Sequence, residues 1–263
     1  GGFDPLEAYG LILQGSVGGV REGGETLVRT TSLLLTGLAV GFAFRCKIWN
    51  IGAEGQLYFG AIGAVVIALT VVGQIPVFGI IIAIIFAMIF GAGWAAIAGV
   101  LKSRLGVNEI IVTVMLNFIA ILFVDFLVHG ALKAPGFEPQ TALIPLTSQL
   151  PILIEGTRLH AGFLVAIAAA VLIYLILFKT KTGFSLRATG VNPKASGYAG
   201  INVKRSILLT LLISGAVAGI AGACLVLGVN DRLLVGISPG YGFIAIIIAL
   251  LGREHPLGIT FVA

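Results

Sequence analysis

IPVFGIIIAIIFAMIFGAGWAAIAGVL, residues 75–101, carries no charged side chain and exceeds the roughly 20 apolar residues that cross a bilayer core as a helix. Reading outward, comparable apolar runs cover residues 30–44, 57–73, 108–130, 160–178, 206–228 and 241–252, and another begins at Leu257. The turn at Gly73, Gln74 and Pro76 separates the second run from the third, because proline cannot continue a helix. Of the 263 residues, 58% are hydrophobic and 10% charged, too few charges for a surface that faces water. The expectation is an all-α polytopic transmembrane bundle of seven to eight spans, forming one domain over residues 1–263. Small-residue ladders, Gly91, Ala95 and Gly99 in one run and Ser214, Ala218 and Gly222 in another, suit close helix packing. The same composition excludes a disulfide scaffold, a nucleic-acid binder and a disordered tail, and Cys46 and Cys224 have no metal-ligand spacing.

Charge sets the orientation. The segment 179–206 holds Lys179, Lys181, Arg187, Lys194, Lys204 and Arg205 with no acid, which makes it cytoplasmic by the positive-inside rule. Alternation from there places eleven of the sixteen basic residues inside. It also places Gly1 outside, so at least one upstream span is expected, and the run from Leu257 is too short to cross. The chain therefore reads as part of a longer multi-pass protein of the cell membrane.

Catalytic patterns are missing: there is no HExxH, CxxC, GxSxG or GxxxxGK[ST], so the chain carries no phosphate loop with which to hydrolyse ATP. Three other segments stand out. In the first, Asn50 to Gln56 (NIGAEGQ), the polar side chains Asn50, Glu54 and Gln56 sit with two glycines beside a span. Polar groups at membrane depth face a cavity or one another, and either reading holds here. In the second, GVNEIIVTVMLN, Asn108 reads as an N-cap, and Thr113 and Asn117 share one helical face. They either line a polar path or bond to a neighbouring helix. Asp125, two turns further on, is the one carboxylate deep in a span and a functional candidate by default. In the third, GFSLRATGVNPKASGYAGI, Asn192 as N-cap, Pro193 as first helical residue and Gly200 as stop predict a two-turn helix over 193–199. Ala195, Tyr198, Ala199 and Ile201 give it an apolar side that must rest on its own spans, on another protein or on headgroups.

With these segments, with GAVAGIAG at 215–222 and GYGF at 240–243, the sequence resembles the permease subunits of bacterial ABC importers in the family serving ribose, branched-chain amino acids and nucleosides. It is most similar to the nucleoside branch that works with basic-membrane-protein lipoproteins. The resemblance implies a type II importer-like bundle that pairs with a second permease, identical or homologous, and with two cytosolic ATPases. It also implies an external substrate-binding lipoprotein, surrounding membrane lipid, and no nucleic acid. No cofactor is implied in this chain; ATP and magnesium would sit on the ATPase. The 193–199 helix would be the coupling helix, with Arg187, Asn192, Pro193, Lys194, Ala195, Tyr198 and Gly200 facing the ATPase. Asn50, Glu54, Gln56, Thr113, Asn117 and Asp125 would border the solute path, with Phe59 or Phe118 available to stack on a base. A ribose-type permease and a secondary transporter are the competing readings.

Overall fold

The computed structural model describes residues 5–263, in which the regular elements are helices. They are α1 (Pro5–Val17), α2 (Val20–Arg45), α3 (Ala53–Ala68), α4 (Phe78–Val100), α5 (Glu109–His129), α6 (Gly162–Lys179), α7 (Lys181–Val191), α8 (Pro193–Tyr198), α9 (Val203–Cys224), α10 (Tyr241–Leu251) and α11 (Pro256–Val262). One π turn extends α4 to Leu105 and another extends α9 to Asn230. Side-chain caps fix several starts: Asn108 accepts from Ile110 N at 2.9 Å, and Asn202 accepts from Arg205 N at 3.0 Å.

Five helices are long and apolar enough to cross a membrane: α2, α4, α5, α6 and α9. α10 and α11 meet at 119° and make a sixth candidate only as a bent pair. The seven to eight spans expected from the sequence thus divide differently. The run at 57–73 becomes a helix of 16 residues, about 24 Å long, which falls short of a ~30 Å bilayer core. The run at 241–252 and the one beginning at Leu257 become the two arms of the bent pair. The basic segment 179–206 contains an unforeseen helix, α7, where glycines and cations hid the pattern.

The bundle centre is a contact of backbones. α9 lies against α3 and α4 so closely that a Cβ on Gly219 would collide with the Ala87 carbonyl, and one on Gly60 with Gly219 itself. A Cβ on Gly222 would meet the Leu57 carbonyl. Removing side chains here lets three helices share one seam, which dispersion then stabilises over its whole length. α2 packs on the same seam and buries Leu34, Leu35, Leu38 and Phe42.

At the outer end, the connection 130–161 is tied down along its length. Leu150 N donates to Leu227 O at 2.7 Å, Ser148 Oγ to Gly73 O at 2.6 Å, and Thr141 N to Leu233 O at 2.9 Å. His160 closes it, buried against Gly162 and Gly228, with Nδ1 accepting from Gly162 N at 3.1 Å. Burial, helped by the Arg158 guanidinium, pushes its imidazole down to about 4.

Two outcomes follow from this packing. Gly219→Ala should lower the thermal midpoint of the detergent-purified protein through about 1–3 kcal/mol of overpacking, while Gly93→Ala, with open space around it, should not. Because the folded state holds His160 neutral and the unfolded state protonates it, stability should be full above pH 6.5 and fall by about 2 kcal/mol between pH 6.5 and 5. A His160→Gln variant should lose that part of the acid sensitivity in the same melting series.

Candidate functional site

After α2 ends at Arg45, the chain turns back into the bundle and α3 starts only at Ala53. Residues 46–52 are therefore non-helical backbone: Lys47 and Trp49 are exposed, whereas Cys46, Ile48, Asn50 and Gly52 are buried among the helices, where polar groups must find partners in the protein. Backbone carbonyls accept from the N–H groups of residues 46–48 and Asn50, and a network of five side chains serves Ile51 and its surroundings. The amides of Asn50 and Gln56 pair reciprocally, each donating to the other's oxygen at 3.0 Å. Asn50 Nδ2 also donates to Ser214 Oγ at 2.8 Å, and that hydroxyl donates to the Ala39 carbonyl at 2.6 Å. Asn117 Nδ2 donates to Ile51 O and its Oδ1 accepts from Gly55 N, both at 2.8 Å. Thr113 Oγ1 accepts from Ile51 N at 3.3 Å.

Glu54, in the first turn of α3, reaches a second broken element. Its Oε2 accepts from Gly242 N at 2.6 Å in the first turn of α10. A carboxylate at a helix N-terminus is favoured by the free N–H groups and the macrodipole there. Ser238 completes the arrangement: its oxygen accepts from Gly240 N at 3.2 Å and Tyr241 N at 3.1 Å.

Asn50, Gln56, Thr113 and Asn117 thus meet around the loop and Glu54 lies beside them, bonded to α10, each at most 1% exposed. Both readings left open by the sequence concern these groups, and the geometry has Asn50, Gln56, Thr113 and Asn117 bonded to one another or to the chain at 51–55. Asp125 lies elsewhere, half-exposed near the outer end of α5, 3.3 Å from His129 Nδ1. Phe59 is already stacked on Trp94, with ring centroids 3.7 Å apart, and Phe118 faces outward from α5. Ser214 and Ser238 are the members the sequence reading did not single out. Ser214 was legible only as one rung of a small-residue ladder, and Ser238 only through its place ahead of Pro239 and Gly240.

Two cavities flank the cluster. One, about 260 Å³, is bordered by Glu25, Arg29, Ser32, Arg158 and Tyr241. The other, on the side of α7, is about 170 Å³ and lies between Cys46, Lys102, Glu109 and Thr189. Along α2 the order is Ser32, Ala39, Cys46, so each level is about 10 Å from the next.

On the inner side, α7 and α8 stand below the loop. A Cβ on Gly190 of α7 would strike the Cys46 carbonyl, so α7 touches the loop backbone directly. Arg187 lies over the Phe178 ring at 5.0 Å and Arg45 over the same ring at 5.6 Å, linking α7, α6 and the end of α2. In α8 the Asn192 side chain accepts from Ala195 N at 3.0 Å, Pro193 holds the first position, and Gly200 takes a φ of 81°. Lys194, Ala195 and Ala199 are exposed and Tyr198 is 95% exposed, so the apolar side of α8 does not rest on the bundle.

The family model for branched-chain amino acid transport system permease components matches residues 24–263. The chain is 38% identical to the guanosine ABC transporter permease protein NupP of Bacillus subtilis, over 100% of this chain and 76% of that protein. It is 34% identical to the nucleoside ABC transporter permease protein NupB of Lactococcus lactis, over 100% and 75%. It is also 34% identical to the glucose ABC transporter permease protein TsgB13 of Haloferax volcanii, over 98% and 70%. No solved structure matches the chain.

Asn50→Leu strands the Gln56 amide and the Gly52 N–H in the interior, at a cost of about 1–3 kcal/mol for each buried group left unpaired. We expect a lower melting midpoint together with faster proteolysis at residues 46–52. An unchanged cleavage pattern would show that the amide pair does not hold the loop.

Proposed function

Because the chain belongs to the branched-chain amino acid transport system permease component family, we propose that it is the transmembrane permease of an ATP-driven importer whose cargo is a nucleoside. The observation that carries the cargo is the 38% identity along the whole chain to a permease named for guanosine. As a permease component it is a transport subunit and not an enzyme. ATP and magnesium belong to cytosolic ATPase partners, an external lipoprotein delivers the solute, and a second permease completes the pair. In this reading α3 and the bent α10–α11 pair each count as a span, giving seven in a type II arrangement.

The coupling role falls to α8. An apolar, cation-flanked helix of 6 residues is too short to persist alone in water and gains nothing by facing it. Docking into a groove of the ATPase covers Ala195, Tyr198 and Ala199 and leaves Lys194 for acidic groups at the rim. ATP binding that favours a closed ATPase pair then pushes on α8, and differential binding shifts the bundle between outward-open and inward-open states. α7 passes the push to the Cys46 carbonyl through Gly190, and so to the loop that carries Asn50. Asn50, Gln56, Thr113 and Asn117 border the route by holding this loop in register, Glu54 ties α3 to α10 beside it, and Asp125 takes no part in the cluster.

A hexose cargo is the second reading, supported by the 34% identity to the glucose permease. Uptake of radiolabelled guanosine by cells expressing the complete transporter, with and without this chain, separates the two. Chain-dependent uptake that excess glucose, ribose and leucine leave unchanged is the expected result. Uptake of glucose alone would replace the cargo, and uptake surviving ATP depletion would replace the mechanism. Tyr198→Asp, which sets a charge on the docking side, should reduce uptake to background while the protein still inserts and stays at its normal level in the membrane.

A further inference from the structure

Phe178, in the last turn of α6, gathers charge at the end of the bundle that carries α7. The Arg187 guanidinium of α7 lies 5.0 Å from its ring centroid, and that of Arg45, the last residue of α2, lies 5.6 Å from it. His255 adds a ring at 5.1 Å, and the carboxylate next to it, Glu254, is taken by Lys47 at 3.4 Å. Neither Arg45 nor Arg187 has an ion-pair partner among the described residues. The π face of Phe178 attracts each cation, yet two like charges held on one ring repel, so the stack lacks a counter-ion. Both arginines are half-buried, and of their nitrogens only Arg187 Nε is sealed away without an acceptor. The other N–H groups stay within reach of an anion at the edge of the spans.

From this stack α6 continues as an apolar lane. Leu164, Ala168, Val171, Leu175 and Phe178 follow one another at spacings of three and four residues and so share one helical face. Leu164, Val171 and Leu175 are 57%, 55% and 44% exposed, and Ala168 is exposed with them. The rise from Ala168 to Phe178 is about 15 Å, the depth of one leaflet of a ~30 Å bilayer core.

We propose that Arg45, Phe178 and Arg187 form a binding site for the headgroup of an anionic phospholipid whose acyl chain lies along this face of α6. Guanidinium forks match phosphate oxygens in geometry as well as charge, and a basic pocket at the ends of spans is where such headgroups bind. The phosphate accepts from α2 and α7 together, which fastens α7 to the spans at a point distinct from its contact with the Cys46 carbonyl. A protein carboxylate would satisfy the same two cations, but it would leave the lane on α6 without an occupant. The site depends on the placement of these helices in a membrane and not on the solute carried, so it stands or falls separately from the cargo.

The complete transporter, purified in mild detergent from membranes containing phosphatidylethanolamine and phosphatidylglycerol, should carry phosphatidylglycerol enriched about fivefold over the membrane extract, read by lipid mass spectrometry. Arg45→Gln combined with Arg187→Gln should return that ratio to the value of the extract. Lys204→Gln combined with Arg205→Gln, which removes the same charge from the exposed start of α9, should leave it unchanged. A second measurement needs no variant: phosphatidylglycerol with a diazirine on its acyl chain should label the peptide containing residues 168–178 of the wild-type complex on illumination. Excess unlabelled phosphatidylglycerol should suppress that labelling, whereas phosphatidylcholine and inorganic phosphate should not. Equal losses of lipid from both double variants would mean diffuse attraction, and suppression by inorganic phosphate would mean a free-anion site. Loss of the ATPase from the Arg45 and Arg187 variant with its lipid ratio unchanged would mean a protein partner. Any of these, or labelling that avoids α6, would overturn the proposal.

Discussion

A backbone that leaves its helix inside a membrane must find every hydrogen bond in the protein itself, and residues 46–52 show how much of the fold follows from that requirement. The returning segment is held by side chains from α3, α5 and α9, and through Ser214 by the backbone of α2. Glu54 extends the same logic to α10, whose first turn it caps by accepting from Gly242 N. Polar residues that would be costly in separate spans become inexpensive when each answers the unmet need of another. The loop and its partners are therefore specified together.

Close packing makes this possible. The side chains that reach the loop are short, and a seam of larger residues between α3, α4 and α9 would hold α9 too far away for Ser214 to touch Asn50. Gly60, Gly91 and Gly219 remove that obstacle. The dispersion gained along the seam and the hydrogen bonds gained at its inner end thus depend on a single interhelical distance.

Much of this was legible in the sequence. Apolar runs located the long helices because membrane burial demands length, and Asn192, Pro193 and Gly200 located α8 because capping chemistry is local. Asn50, Gln56, Thr113 and Asn117 stood out as polar groups where few belong, although whether they faced a path or each other is a matter of tertiary contact that no spacing reveals. α7 escaped notice because Gly183 and Gly190 read as breakers, whereas each is needed where α7 meets a neighbouring backbone, at Ile176 and at Cys46. The broken span at α10–α11 escaped for a related reason: its bend is stabilised by contacts with α2, far away in the chain, and the packing of Ile248 and Ile259 on Gly37 has no local signature.

The touch of Gly190 on the Cys46 carbonyl also bears on how such proteins diverge. The contact is written in the sequence only as an absence, the missing Cβ of Gly190, so it lasts only while both curves of the backbone stay in step. Residues 181–201 and 46–56 are held in register by it, although more than a hundred residues separate them. An engineer who moves one of these stretches into another bundle should move both, since either one alone would meet a backbone curved for a different neighbour.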